Sequence, residues 1–320
     1  MRVNRGFLYW GVFLVALGGV LVAGELGALD PARVIDALRL WPLAVVAVGV
    51  GLVLRRTRLS LSGGMLAAAV PGLVLGGAFA VGPRFVGNCG GPGEAAPSAP
   101  QQGTFDGPAS VSVATGCGSL TVSTAPGSGW RLDAGNTAGH TPTIRTSPQS
   151  LSIESTADEG WGVLSAGRNT WNLTLPTSPI DRLNLVVNAG ESHVALPAAQ
   201  IARLAVTGNA SLIAIDASSA AVTNLLGTVN VGSLSIHLPA NSDLTGSLRV
   251  RGGQLQICAP TGLGLRLTST GQPRQVKVDG LQQAGSDWQS PDYETALHHA
   301  DLEVSVNVGG VEINPIGGCR

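Results

Sequence analysis

From Phe7 to Gly24 the chain reads FLYWGVFLVALGGVLVAG, eighteen residues without a charge. About 20 such residues cross the hydrocarbon of a bilayer as a helix, so this stretch constrains the fold more than any other. It is not a cleavable signal by shape, because a second apolar run follows it where a polar mature region would begin. That second run is Leu40–Leu54, and a third is Leu61–Val81. The pattern predicts a membrane region over 1–87, with transmembrane helices at about 7–24, 40–56 and 61–82. Each would present apolar side chains to lipid, so the bilayer is the first expected partner.

The second run is short, about 22 Å at 1.5 Å per residue. Arg39 and Arg55 can lengthen it by reaching to the headgroups, and Trp41 stands where an interfacial aromatic belongs. Pro71 and the glycines of the third run are tolerable where neighbouring helices pack on small residues. Arg2 and Arg5 precede the first span and Arg55, Arg56 and Arg58 follow the second, against Arg33 and Arg39 between them. Positive charge concentrates on the cytoplasmic side. The N-terminus is therefore expected in the cytoplasm and residue 83 onward outside, in a multi-pass protein of the plasma membrane. Trp41, Pro42, Arg55, Arg56 and Arg58 are the residues that set this topology and the membrane interface.

Beyond the apolar third, Gly, Pro, Ala and Gln dominate residues 88–108, which read as a flexible linker with too little apolar surface to fold. From Ala109 short alternating runs take over, such as Val111-Ser-Val113, Leu120-Thr-Val122 and Leu183-Asn-Leu185. Alternation of period two bounded by Gly, Pro and Asn indicates strands. Val194/Leu196, Ile213/Ile215, Leu234/Ile236 and Leu255/Ile257 then recur at spacings of 19, 21 and 21. A second row, Val187, Val206, Val229 and Val250, precedes them. About twenty residues per repeat suits one coil of a β-solenoid, each coil burying its apolar column on the next. The alternative is a β-sandwich with coincidental spacing. The expected class is thus three membrane α-helices plus an all-β, single-stranded solenoid-like domain over 109–316, with 280–300 an excursion or cap and 301–313 a last strand pair.

Two resemblances follow. Arg5-Gly6-Phe7-Leu8, Gly18-Gly19-Val20, Leu26-Gly27-x-Leu29, Leu40-Trp41-Pro42-Leu43 and Gly49-x-Gly51 before basic residues resemble the LiaI/LiaF-like transmembrane region of bacterial envelope proteins. The Gly-punctuated repeats ending in Val306-Asn-Val-Gly-Gly-Val-Glu-Ile313 resemble LiaF-like proteins and the related toastrack β-domains of adhesin type. The resemblance implies a part in sensing or regulating envelope stress by contact with a membrane partner such as a sensor kinase or another envelope protein. The solenoid would bind an envelope component. The rival function is a membrane-anchored surface adhesin or structural display module.

Little in the sequence points to catalysis. Charged residues are 12% of the chain and the net charge is -1, which gives no basic field for nucleic acid. No HExxH, Gly-x-Ser-x-Gly or phosphate-binding loop occurs. Glu191, Asp216 and Asp243 of the central coils form no stacked acidic pair, as glycoside chemistry would need. His298 and His299 beside Asp301 are the one His/carboxylate cluster, read as a solvated loop because neighbours on a strand face opposite ways. Trp130, Trp161 and Trp171 read as core or cap residues. Cys89, Cys117, Cys258 and Cys319 are candidates for disulfides in an oxidising compartment, with the pairing open among three. No metal ligand set and no cofactor are expected; the chain is read as a non-enzyme.

Overall fold

Uninterrupted apolar sequence with no breaker before Pro31 makes helix the default for the first run. It forms α1 (Arg5–Glu25), followed by α2 (Trp41–Leu54) and α3 (63–75). The structure is a computed structural model that describes residues 5–25, 41–54, 63–75, 94–156, 167–271, 275–285 and 287–315. Arg55, Arg56, Arg58, Cys89, Trp161 and Cys319 lie outside the described residues, as does the expected linker before residue 94. The chain divides into two units, Met1–Phe85 and Val86–Arg320.

In the first unit the three expected spans are described only in part. Counted over the described side chains, which in α1 are 7–20 and 22–23, no helix is long and apolar enough to cross a membrane. The backbone of α1 runs 21 residues, about 31 Å, and the 14 described residues of α2 about 21 Å. The described part of α3 covers 63–75, and the rest of the span expected to 82 lies outside the described residues. The three helices pack through glycines, where missing side chains let backbones approach. A Cβ at Gly72 of α3 would lie 2.6 Å from the Phe13 carbonyl oxygen of α1, and one at Gly64 would fall on the Tyr9 ring. A Cβ at Gly51 of α2 would lie 2.8 Å from the Gly63 carbonyl oxygen.

Among its described residues the second unit holds sixteen strands. In its N-terminal part they are β1 (Ala96–Pro97), β2 (Gln101–Thr104), β3 (Ala109–Ala125), β4 (Gly129–Asn136), β5 (Thr143–Ser147), β6 (Ser150–Glu154) and β7 (Asn169–Pro176). Then come β8 (Ile180–Ala195), β9 (Gln200–Asp216), β10 (Ala221–His237), β11 (Leu244–Cys258), β12 (Leu263–Gly271) and β13 (Gln275–Val278). The last are β14 (Gln282–Ala284), β15 (Asp287–Gln289) and β16 (His298–Ile313). Linker readings stop short here: β1 and β2 pair antiparallel with β4 and Phe105 is buried, so chain expected to be flexible is part of the sheet. Backbone pairing of that kind leaves no apolar signature in the sequence.

Each of β3, β8, β9, β10, β11 and β16 is one rung of a solenoid, stacked parallel on the next in that order. Register is constant: Leu183, Leu204, Leu225, Gly246 and Leu302 follow one another across the stack. The rungs bend in the middle. On β8 Leu183, Leu185 and Val187 are buried before the bend, and Ser192 and Val194 after it, so the inward face changes from odd to even numbers. That slip of one residue wraps both arms around a single core, which runs from Phe105 to Ile313. Short loops complete each coil and continue the pairing, as in Leu196 N to Asp216 O at 2.9 Å and Ala217 N to His237 O at 3.1 Å.

The bend is made by a column of glycines. Gly118, Gly190, Gly232, Gly253 and Gly309 are in register, with φ between +122° and +137°. Only glycine adopts such angles freely. Ser211 takes the place on β9, without a left-handed φ.

Chain order and stacking order part company at both ends. β6 and β7 stack outside β3 although they follow it in sequence. β16, the last strand, is inserted between β11 on one side and β12 and β13 on the other. The last strand pair expected over 301–313 is therefore one full rung. Antiparallel strands cover much of the outer rungs, β5 on β6, β4 on β7 and β15 on β12. This blunts the edges that would otherwise template association.

Candidate functional site

Constant register turns every outward position into a column along the stack. Six residues before the bend the column reads Arg182, Arg203, Asn224, Thr245, Asp301, Arg266. At the bend itself Asn188, Asn209 and Asn230 form a ladder, with Asn209 Nδ2 donating to Asn188 Oδ1 at 2.7 Å and Asn230 Nδ2 to Asn209 Oδ1 at 2.6 Å. Arg251 holds the equivalent place on β11 and Asn307 on β16, as the flanking pairs show. These columns were present in the sequence as a period of 21, in 182/203 and 188/209/230/251. Attention to apolar positions alone passes over them.

The second feature is a polar cluster where β16 begins. Tyr293, on a short 3-10 turn, is buried and donates its hydroxyl to Asp301 Oδ1 at 2.7 Å. Arg266 stacks 4.2 Å above the same ring and reaches Asp301 at 3.6 Å. Burial first and the Asp301 hydrogen bond second push the Tyr293 phenol up to about 12. His299 packs edge-on against that ring at 4.9 Å, and its Nε2 lies 2.8 Å from the Tyr293 carbonyl oxygen. Its backbone N–H donates to Asp243 Oδ1 at 2.9 Å, while His298 Nδ1 stands 3.7 Å from the same oxygen. The sequence placed His298 and His299 in a solvated loop before the strand pair that begins at Asp301. Instead they open a rung, and Asp243 draws both histidines to one side. No group of three His, Cys, Asp or Glu side chains gathers as a metal site among the described residues.

The remaining candidates are dispersed. Glu191, Asp216 and Asp243 stand on or beside different rungs. Asp216 accepts from the Ser218 hydroxyl and amide, which hold it below the usual carboxylate range with help from His237. Trp130 and Trp171 are buried in the core rather than offered to a sugar. Cys117 and Cys258 are each in a disulfide. Four rung steps separate their strands, about 19 Å at 4.8 Å per step, far beyond disulfide reach. Trp41 and Pro42 sit in the first turn of α2.

No family model matches the chain, and no curated protein matches it. Among solved structures it is similar to a candidate cell adhesion protein from Clostridium sporogenes, at 14% identity and a TM-score of 0.45, covering 68% of this chain and 99% of that one. A candidate adhesin from Bacteroides fragilis matches at 9% identity and a TM-score of 0.30, covering 67% of this chain and 96% of that one. A candidate lipid-binding protein from Parabacteroides distasonis matches at 11% and 0.28, covering 69% and 98%. The described strands themselves make the domain β-rich and solenoid-like.

Proposed function

We propose that this chain is a non-catalytic bacterial membrane protein whose β-solenoid is held outside the cell and works as a surface-binding module. The observation that carries this reading is the apolar exposure of the first unit. Phe7, Trp10 and Val15 of α1 are 83%, 66% and 76% exposed, and Leu43 and Val53 of α2 are 62% and 68% exposed. A water-facing surface of that kind is rare on soluble proteins and suits acyl chains. The disulfide-bonded Cys117 and Cys258 support an oxidising compartment for the second unit. A stack of rungs with outward polar columns offers a long binding face, and its carboxylates are dispersed or engaged by neighbours.

Intact cells carrying Thr57→Cys or Gln102→Cys, treated with an impermeant thiol reagent, test the topology. Labelling at 102 and protection at 57 is expected; the reverse pattern would place the solenoid inside and overturn the reading.

A second reading, regulation of the envelope stress response through a membrane partner such as a sensor kinase, is favoured by the helix packing. Gly51, Gly64 and Gly72 are used to hold three helices together, more than an anchor requires. If it holds, a chain lacking 94–320 keeps its membrane partner in a detergent pull-down and its deletion alters antibiotic response. Loss of both effects would leave only the surface module.

A further inference from the structure

The described part of the solenoid has nine Arg and Lys side chains: Arg131, Arg145, Arg182, Arg203, Arg249, Arg251, Arg266 and Lys277 on strands, and Arg168 just before β7. Arg131, Arg145, Arg266 and Lys277 each face a carboxylate at 2.7–3.6 Å, and Arg168 is also engaged. The other four are exposed. Among the described residues none of these four has an ion-pair partner. Their placement is not scattered. Arg182 and Arg203 are outward on the first arms of β8 and β9 and directly in register. Arg249 is outward on the same arm of β11, and Arg251 stands at its bend two residues on.

Like charges directly opposite on neighbouring strands are destabilising, so the Arg182/Arg203 pair has a cost that no ion pair among the described residues offsets. Two guanidinium forks side by side match one phosphate or carboxylate group. The two pairs lie roughly 20 Å apart diagonally across the arm, from 4.8 Å per rung and 3.3 Å per residue. Between them the surface offers hydrogen-bonding side chains, Asn224, Thr228 and Thr245. On β8 to β11 the outward positions of this arm between Arg182 and the bend carry no carboxylate; Asp181 and Asp243 stand at its margin, at and before the strand starts. The carboxylates of the next rung, Asp301 and Glu303, are engaged by Tyr293, Arg266 and Thr270.

The geometry points to this arm as a binding face for a linear anionic polymer, gripped at two places by the pairs Arg182/Arg203 and Arg249/Arg251. A polymer fits better than a lipid surface, because the face has no aromatic side chain to enter headgroups, unlike interfacial anchors. The inference concerns the purified protein and stands whichever side of the membrane the domain occupies.

The test uses the full chain in neutral detergent with long-chain inorganic polyphosphate as probe, read by fluorescence anisotropy. Expected are binding at low salt that weakens steeply as salt screens the arginines, and at least tenfold weaker binding for Arg182→Gln/Arg203→Gln and for Arg249→Gln/Arg251→Gln. Arg145→Gln, which removes a paired charge elsewhere, should bind like the parent. Unchanged thermal melts establish that the variants fold. Equal losses in the Arg145 variant, or no loss in either double variant, would overturn the site. Tight binding to phosphatidylglycerol vesicles that polyphosphate fails to displace would overturn the polymer as its occupant.

Discussion

Gly232 lies directly against Ser211 of the neighbouring rung, so close that a Cβ at 232 would strike the Ser211 carbonyl oxygen. The same contact recurs between Gly253 and Gly232 and between Gly309 and Gly253. Bend and rung spacing are therefore one constraint. Gly232→Ala adds both a disfavoured φ of +128° and a clash with backbone. It should cost about 2 kcal/mol or more, measured by urea unfolding; a loss below about 0.5 kcal/mol would show that the bend can relax.

Ser192 presents the opposite case. Its hydroxyl is buried at 1% exposure with no hydrogen-bond partner, between Leu120 and Ile213 in register. An unsatisfied buried hydroxyl is costly. Ser192→Ala should raise stability by about 1 kcal/mol, seen as a higher denaturation midpoint at unchanged slope. A lower midpoint would mean that the hydroxyl is bonded in solution.

That serine also explains what the sequence concealed. Val194 was aligned with Ile213 at a spacing of 19, but it pairs with Ile215, and Ser192 pairs with Ile213. The true period from β8 to β11 is 21, hidden where a polar residue occupies a core position. Val206 was likewise placed in the row of Val187 and Val229, a place that Gly208 fills. There the Ser211 hydroxyl takes up the space a side chain at 208 would need. Solenoid class, strand identity and most of the core were legible because apolar alternation is local. Pairing of Leu244 with Ala300 was not, because it joins residues far apart in sequence without a local signal. The outward arginines were missed because only the correct register brings them together.

Peptide mapping without reductant should find Cys117 and Cys258 each in a bridge and never with each other. A peptide joining 117 to 258 would contradict the rung order from β3 to β11. Reduction should lower stability by about 2–4 kcal/mol per bridge, observed as a fall in melting temperature on adding dithiothreitol.

Tyr293 predicts an alkaline limit. Its phenol rises from the model-peptide value near 10 to about 12 in the folded protein, so the folded state holds its proton more tightly than the unfolded. The resulting stabilisation is complete below pH 10 and is lost as pH climbs through 12. Removing the neighbouring charge with Asp301→Asn should move the onset of tyrosinate absorbance to lower pH. The chain has only two tyrosines, so subtraction of a Tyr293→Phe titration isolates the signal. An onset unaltered by Asp301→Asn would leave burial as the sole cause.

The insertion of β16 between β11 and β12 has a consequence for how the molecule is made. Residues 298–313 are synthesised after both β11 and β12, yet those two strands meet only through them. The coils from β3 to β11 can add one by one as the chain emerges, each on the edge before it. The coil that joins β11 to β12 cannot close until β16 has been made, so both strands wait with bare edges. A chain cut short before residue 298 keeps both edges open indefinitely and should be found in aggregates rather than as a shorter solenoid.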